Sequence, residues 1–168
     1  MITLKQAYKI YNLVINEYEA LKMEIVNIEL KDKFYYEEDL LAHTIAIKNS
    51  FESKQEREVV RLIEDKGVNA EFCMMPNVNE VIALLHEVGH LWDNVLNGSI
   101  SNAGYKEYKN TTFYSIKQAN MAYRNIPAEN FADLFTVDFI NKNGKEIWGI
   151  MNPDMTSNEI DDWIEMFK

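Results

Sequence analysis

The chain has a single cysteine, Cys73, and only three histidines in 168 residues. One cysteine rules out an intrachain disulfide and a zinc knuckle of four thiolates, and fits a reducing compartment. Basic residues are also scarce: 17 Lys and Arg stand against 27 Asp and Glu, a net charge of −10. A surface of that sign repels phosphate backbones and anionic headgroups, so neither nucleic acid nor a membrane surface is an expected partner. Long apolar runs are missing too. The longest, Val81-Ile82-Ala83-Leu84-Leu85, is far shorter than the ~20 residues that cross a bilayer. The opening stretch from Met1 to Lys9 mixes charge into every turn, unlike an export signal, and a cytoplasmic location is expected. No linker, low-complexity tract or internal repeat divides the sequence, so one domain over 1–168 is expected, with 47% hydrophobic residues to build its core.

What is present has readable periods. Between Leu4 and Leu21, apolar residues recur at Ala7, Tyr8, Tyr11, Val14, Ile15 and Tyr18, the spacing of an amphipathic helix. Val26, Ile28 and Leu30 alternate with polar neighbours, as do His43, Ile45 and Ile47, and two short strands follow. Ser53 and Glu56 form a capping-box pattern for a helix over about 54–66, with Gly67 as its stop. Ala70 to Met75 reads as a third strand ended by Pro76. Asn77 then caps a long helix carrying Glu80 in its first turn and running to Gly98. Residues 99–112 read as a polar loop, followed by helices over about 113–124 and 127–142, the second opened by Pro127 and closed by Gly144. Thr156 and Glu159 open a last short helix.

The chemistry concentrates in His86-Glu87-Val88-Gly89-His90. On a helix, residues four apart share a face with Cβ atoms roughly 5–6 Å apart, so His86 and His90 can grip one ion. Glu87 then stands beside the ion's open position, where it can take a proton from the water that a catalytic zinc activates. This is the logic of the HExxH pattern. The bland alternative is two polar residues on a half-buried helix with Glu87 solvated.

A catalytic zinc usually takes three protein ligands, so one is missing from this segment. The metzincin pattern needs Gly at position 93 and His at 96, where this chain has Asp93 and Leu96. The helix opened by Pro127 offers Glu129 and Asp133 on one face. Glu129 is the expected third ligand and Asp133 the acceptor that orients a ligand histidine. Two alternatives stand: Asp133 as the ligand, or Glu129 as a first-turn carboxylate that stabilises the helix terminus by ~0.3–1 kcal/mol without a metal. Asp93, one turn past His90, competes with Asp133 for the orienting role.

These elements resemble the gluzincins, in which a Glu-x-x-x-Asp segment after HExxH supplies the third ligand and its neighbour. His86 to Asp93 followed by Tyr123-Arg124-Asn125-Ile126-Pro127-Ala128-Glu129-Asn130-Phe131-Ala132-Asp133 is similar to the catalytic domain of the anthrax lethal factor and Pro-Pro endopeptidase group. Intracellular zincins of the phage or regulator-cleaving type look similar as well. The resemblance covers roughly residues 77–141. It implies an α+β, zincin-like fold: a small mixed or antiparallel sheet packed on the active-site helix, with further helices carrying the third ligand. It also implies Tyr123 as the phenol that steadies an oxyanion, with Tyr114 or Tyr105 as substitutes.

The remaining candidates read as structural. His43 sits on a strand face without a ligand partner, and Cys73 has no histidine nearby to activate it. Gly89 is small where a strand or a substrate approaches. The expectation is a zinc metalloendopeptidase acting on a protein or peptide laid along an exposed strand edge, the Ala70 to Met75 segment being the first choice. The alternative is a regulatory or binding protein that keeps this fold without significant proteolysis.

Overall fold

The computed structural model describes residues 1–39, 42–50, 53–97, 107–108, 111–112 and 127–167. Helix α1 (Leu4–Glu17) opens at Thr3, whose hydroxyl accepts from the Gln6 amide while the Gln6 side chain accepts from the Thr3 amide. Its inward stripe is Ala7, Ile10, Tyr11 and Val14. Tyr8 faces the other way, and its hydroxyl takes the Ile28 amide at 3.0 Å. The expected helical stretch to Leu21 is shorter than its periodicity suggests: after Glu17 the chain tightens into a 3-10 turn, Glu19–Met23.

Three strands follow, one more than periodicity announces. Strands β1 (Val26–Leu30) and β3 (Ala42–Ile47) lie parallel, pairing Ile28 with Ile45. Strand β2 (Tyr35–Asp39) adds antiparallel to β3, pairing Tyr36 with Ile45 and Glu38 with His43. The sheet is mixed, in the order β1-β3-β2. The sequence Tyr-Tyr-Glu-Glu-Asp has no apolar alternation; backbone pairing to β3 makes it a strand.

Helix α2 (Lys54–Glu64) is capped by the Ser53 hydroxyl, which accepts from the Glu56 amide at 3.1 Å. The Glu56 carboxylate reaches Lys48 at 2.8 Å rather than closing a capping box. Gly67, at φ +132°, turns the chain away in a region that suits glycine. The strand expected over Ala70 to Met75 is instead a short helix, α3 (Ala70–Cys73). Asn141 holds this turn from both sides: its Oδ1 accepts from the Asn69 amide at 2.8 Å, and its Nδ2 donates to the Gly67 carbonyl at 2.9 Å. The Asn69 carbonyl then receives the Phe72 and Cys73 amides, which closes a helical turn in place of a ladder.

Helix α4 (Val78–Asn97) is the long helix expected. Asn77 precedes it at φ +60° and its carbonyl accepts the Val81 amide. Val81, Ile82, Leu84, Leu85, Val88 and Leu91 are all fully buried, so α4 is surrounded by apolar contacts, as a central helix should be. It packs on β2 and β3 and on helix α5 (Pro127–Met151). Helix α5 breaks where Gly144 led one to expect an end, with Asn143 at φ −120° and ψ 15°, and then resumes. Gly144 serves packing there, because an added Cβ would meet the Phe72 ring at 2.3 Å. Helix α6 (Ser157–Met166) begins with the Thr156–Glu159 capping box. Within the expected polar loop, β4 (Glu107–Tyr108) and β5 (Thr111–Thr112) pair antiparallel. The helix expected over 113–124 lies outside the described residues.

The architecture is thus α+β, with a small mixed sheet packed against a central helix. The helix pair α4–α5 touches backbone to backbone at Gly89, where an added Cβ would stand 2.8 Å from the Ala132 Cα and 3.1 Å from its carbonyl oxygen. It is helix α5, not a strand, that comes close here. A Gly89→Ala variant gains about 1 kcal/mol of helix propensity, against roughly 1–3 kcal/mol of overpacking. Because the clash is with backbone, which cannot rotate away, net destabilisation is expected. A lower urea midpoint at unchanged denaturant slope is the measurement; an equal or higher midpoint would contradict the close approach.

Candidate metal centre

His86 and His90 lie one turn apart on α4, their rings 4.6 Å apart and nearly perpendicular. Both are buried. Their Nε2 atoms are 3.1 Å from each other, so the two imidazoles point at one place. The Gly89–Ala132 contact sets how far α5 stands off. Ala132 lies between Glu129 and Asp133 in sequence, so the contact brings that face of α5 against the histidines. Glu129 then places Oε2 at 2.8 Å from His86 Nε2 and Oε1 at 3.3 Å from His90 Nε2. One ligand atom from each of the three residues lies within 4.8 Å of the others, and all three residues are buried.

Asp133, with no exposed surface, sits at the far side of the His86 ring, Oδ1 at 3.0 Å from Nδ1. The carboxylate accepts from Nδ1–H, which assigns the proton to that nitrogen and leaves the Nε2 lone pair facing Glu129 and His90. Two imidazole nitrogens and two carboxylate oxygens therefore converge. Lone pairs facing each other out of water are repulsive unless a proton or a cation sits among them. The donor set of two imidazoles and one carboxylate suits a borderline cation and leaves room for a further ligand. The buried group of His86, His90 and Glu129 can hold a metal ion.

Proton affinities in the metal-free site report the same demand. Burial works against a charged His86, but hydrogen bonds to Asp133 and Glu129, with the charges of Asp133 and Glu87, raise its pKa to about 9. Burial alone would raise the Glu129 pKa, yet the hydrogen bonds and charges of His86 and His90 carry it far below the carboxylate range.

Of the residues singled out in the sequence, His86, His90, Glu129 and Asp133 are brought together, and Glu87 is half-buried beside His86. Between the two candidates for orienting a ligand histidine, Asp133 is the one on His86. Asp93 is buried on α4, and its charge is among those that push the Tyr36 hydroxyl upward, after burial, Glu38 and Glu24. Tyr123, Tyr114 and Tyr105 lie outside the described residues. His43 is buried away from the ligand set, with Tyr36 Oη at 2.7 Å from Nδ1 and Glu24 Oε2 at 3.0 Å from Nε2. Burial and the charge of Glu64 push the Cys73 thiol up to about 11, which disfavours the nucleophilic thiolate.

The roles of two contributors are not legible in the sequence. Ala132, an ordinary helix residue in sequence, is the surface on which Gly89 rests. Lys66, beyond the end of α2, reaches Asp133 Oδ2 at 2.7 Å. Neither carries a local signal, since each matters only through a partner far away in the chain. No protein-family model, curated protein or solved structure matches the chain.

The pKa shifts fix the sign of a pH effect. His86 holds its proton more tightly folded than unfolded, so its contribution to stability is complete below its ordinary 6.5 and is lost as pH rises through about 9. Glu129 works oppositely, contributing above its ordinary 4.5 and losing that contribution on acidification. The melting temperature of metal-free protein should therefore fall from about pH 6.5 to 9. A divalent cation competes for the same lone pair, so the melting-temperature gain on adding zinc should grow across that interval. Thermal scans with chelator and with zinc check this; a zinc gain independent of pH would place the ion elsewhere.

Proposed function

We propose that the protein is a zinc-dependent endopeptidase of zincin-like architecture, with His86, His90 and Glu129 as its metal ligands. The observation that carries this reading is the convergence of the two Nε2 atoms and the Glu129 carboxylate, with Asp133 on the outer nitrogen of His86. A three-residue ligand set with Glu87 next to one ligand is the arrangement hydrolytic zinc sites use, whereas structural zinc sites close all four positions with protein. The resemblance of the His86 to His90 and Glu129 to Asp133 segments to the gluzincins supports it from the sequence side.

Zinc held by these residues would supply Lewis acidity toward water and toward a scissile carbonyl. Glu87 acts as the general base, taking the proton of the attacking water and returning it to the leaving amine. Asp133 keeps His86 in the tautomer that presents Nε2. Tyr123 is the proposed donor to the developing oxyanion, a contact of the kind worth roughly 3–4 kcal/mol where measured.

The substrate edge first expected at Ala70 to Met75 is helical, so the extended peptide belongs elsewhere. Strand β2 pairs on one side only among the described residues, and it packs beside α4. It also borders a cavity of about 480 Å³ lined by Lys33, Tyr35, Tyr36 and Glu37. A peptide added along β2 would gain main-chain hydrogen bonds next to the helix that carries the histidines.

Glu87→Gln is expected to lower peptide cleavage by about 10²–10⁴-fold, the usual worth of a general base, while the protein still binds one zinc. Elemental analysis and cleavage of a peptide library measure the two halves separately. Undiminished cleavage by the variant would overturn the role of Glu87. A wild-type protein that holds zinc and cuts nothing would favour a regulatory or binding protein built on the same site.

A further inference from the structure

We propose that Lys66 is a positioning residue of the metal centre, acting through Asp133 to hold the His86 ring with its Nε2 lone pair aimed at the ion; the proposal rests on the metal-binding reading above. Lys66 follows the C-cap of α2, its amide on the Ile63 carbonyl at 3.0 Å, one residue before Gly67 turns the chain. Its side chain is 3% exposed. An ammonium is compact and strongly hydrated, and lysine is rarely buried so completely. Lys66 Nζ donates to Asp133 Oδ2 at 2.7 Å and to Asn130 Oδ1 at 3.0 Å, two acceptors three residues apart on one face of α5.

The Asp133 carboxylate has two oxygens with two different duties. Oδ2 receives Lys66 and Oδ1 receives His86 Nδ1–H, so the plane of the carboxylate is set by both bonds together. Without the ammonium, the carboxylate would be a buried anion stripped of its charge-assisted bond on Oδ2. It would turn, and the hydrogen bond that Oδ1 accepts from Nδ1–H would lose its direction. Charge points the same way. Glu87, Glu129 and Asp133 all act on His86, three negative charges at one ring. A divalent ion and the Lys66 ammonium together balance them.

A purely structural role predicts something different. It would lower the stability of the fold with and without metal alike, and leave zinc affinity untouched in any variant that folds. The test is zinc affinity, read by competition with a chromophoric chelator, in wild type, Lys66→Met, Asp133→Asn and the double variant, with far-UV circular dichroism confirming the fold. Lys66→Met is expected to bind zinc about 10–100-fold more weakly, the usual effect of losing a residue that supports a metal ligand. Asp133→Asn should lose a similar amount, and the double variant should bind no more weakly than Asp133→Asn alone, because the two residues act in series. Lys66→Arg, which keeps the charge, should recover most of the affinity.

Wild-type affinity in folded Lys66→Met, or a further loss in the double variant, would overturn the proposal. If Lys66→Met does not fold, the double variant still decides, since it removes the stranded carboxylate along with its partner. Affinity equal to Asp133→Asn supports the proposal, and a lower one refutes it. Absence of zinc binding in the wild type would instead refute the metal-binding reading itself.

Discussion

The near-contact of two helix backbones governs this structure. Gly89 on α4 and Ala132 on α5 lie closer than any larger pair would permit. Everything chemical about the site depends on that spacing, since Glu129 and Asp133 flank Ala132 while His86 and His90 flank Gly89. Side chains of fixed length then meet at 2.8 to 3.3 Å between Glu129 and the two imidazoles. A helix pair held apart by ordinary side chains packs at interaxial distances of about 8–10 Å. Small residues at the crossing allow the lower end of that range, where a glutamate can span the gap to a histidine.

Close approach has an electrostatic consequence. Acceptors that would each be hydrated are gathered in a buried space, which is unfavourable unless a positive charge joins them. The raised proton affinity of His86 and the lowered one of Glu129 are two expressions of this demand. Lys66 answers part of it from the far side of Asp133. The apolar shell around α4, including Val81, Leu84, Leu85 and Val88, excludes the water that would otherwise screen these charges. Burial of the core and strength of the site are thus one property.

The sheet packs against the same helix through β2 and β3. Ile28, Ile45 and Ile47 enter the core as the alternation requires, whereas Leu30 stays exposed and Ala46 is buried as well. Two of the segments misjudged from sequence fail for a shared reason. Strand β2 has no apolar alternation because its role is pairing, which a one-dimensional pattern does not record. The segment from Ala70 to Cys73 is apolar enough for a strand, but the Asn141 side chain, 72 residues from Asn69, fastens it as a turn of helix. Short apolar runs are ambiguous between the two states, and a distant hydrogen bond decided this one.

The sequence by itself determined the features that depend on neighbours a few residues away. His86 and His90 share a face because four residues make about one turn, and the same arithmetic joins Glu129 to Asp133. The Thr156–Glu159 box and the glycine stop at Gly67 follow from local backbone chemistry in the same way. Tertiary structure alone decided which face meets which. It set Glu129 between the two imidazoles and chose Asp133 for His86 Nδ1. It also brought Lys66, 67 positions before Asp133, into the same buried chain of charges. The physical reason is range: helical periodicity acts over a turn, whereas the approach of two helices is settled by the packing of the whole core.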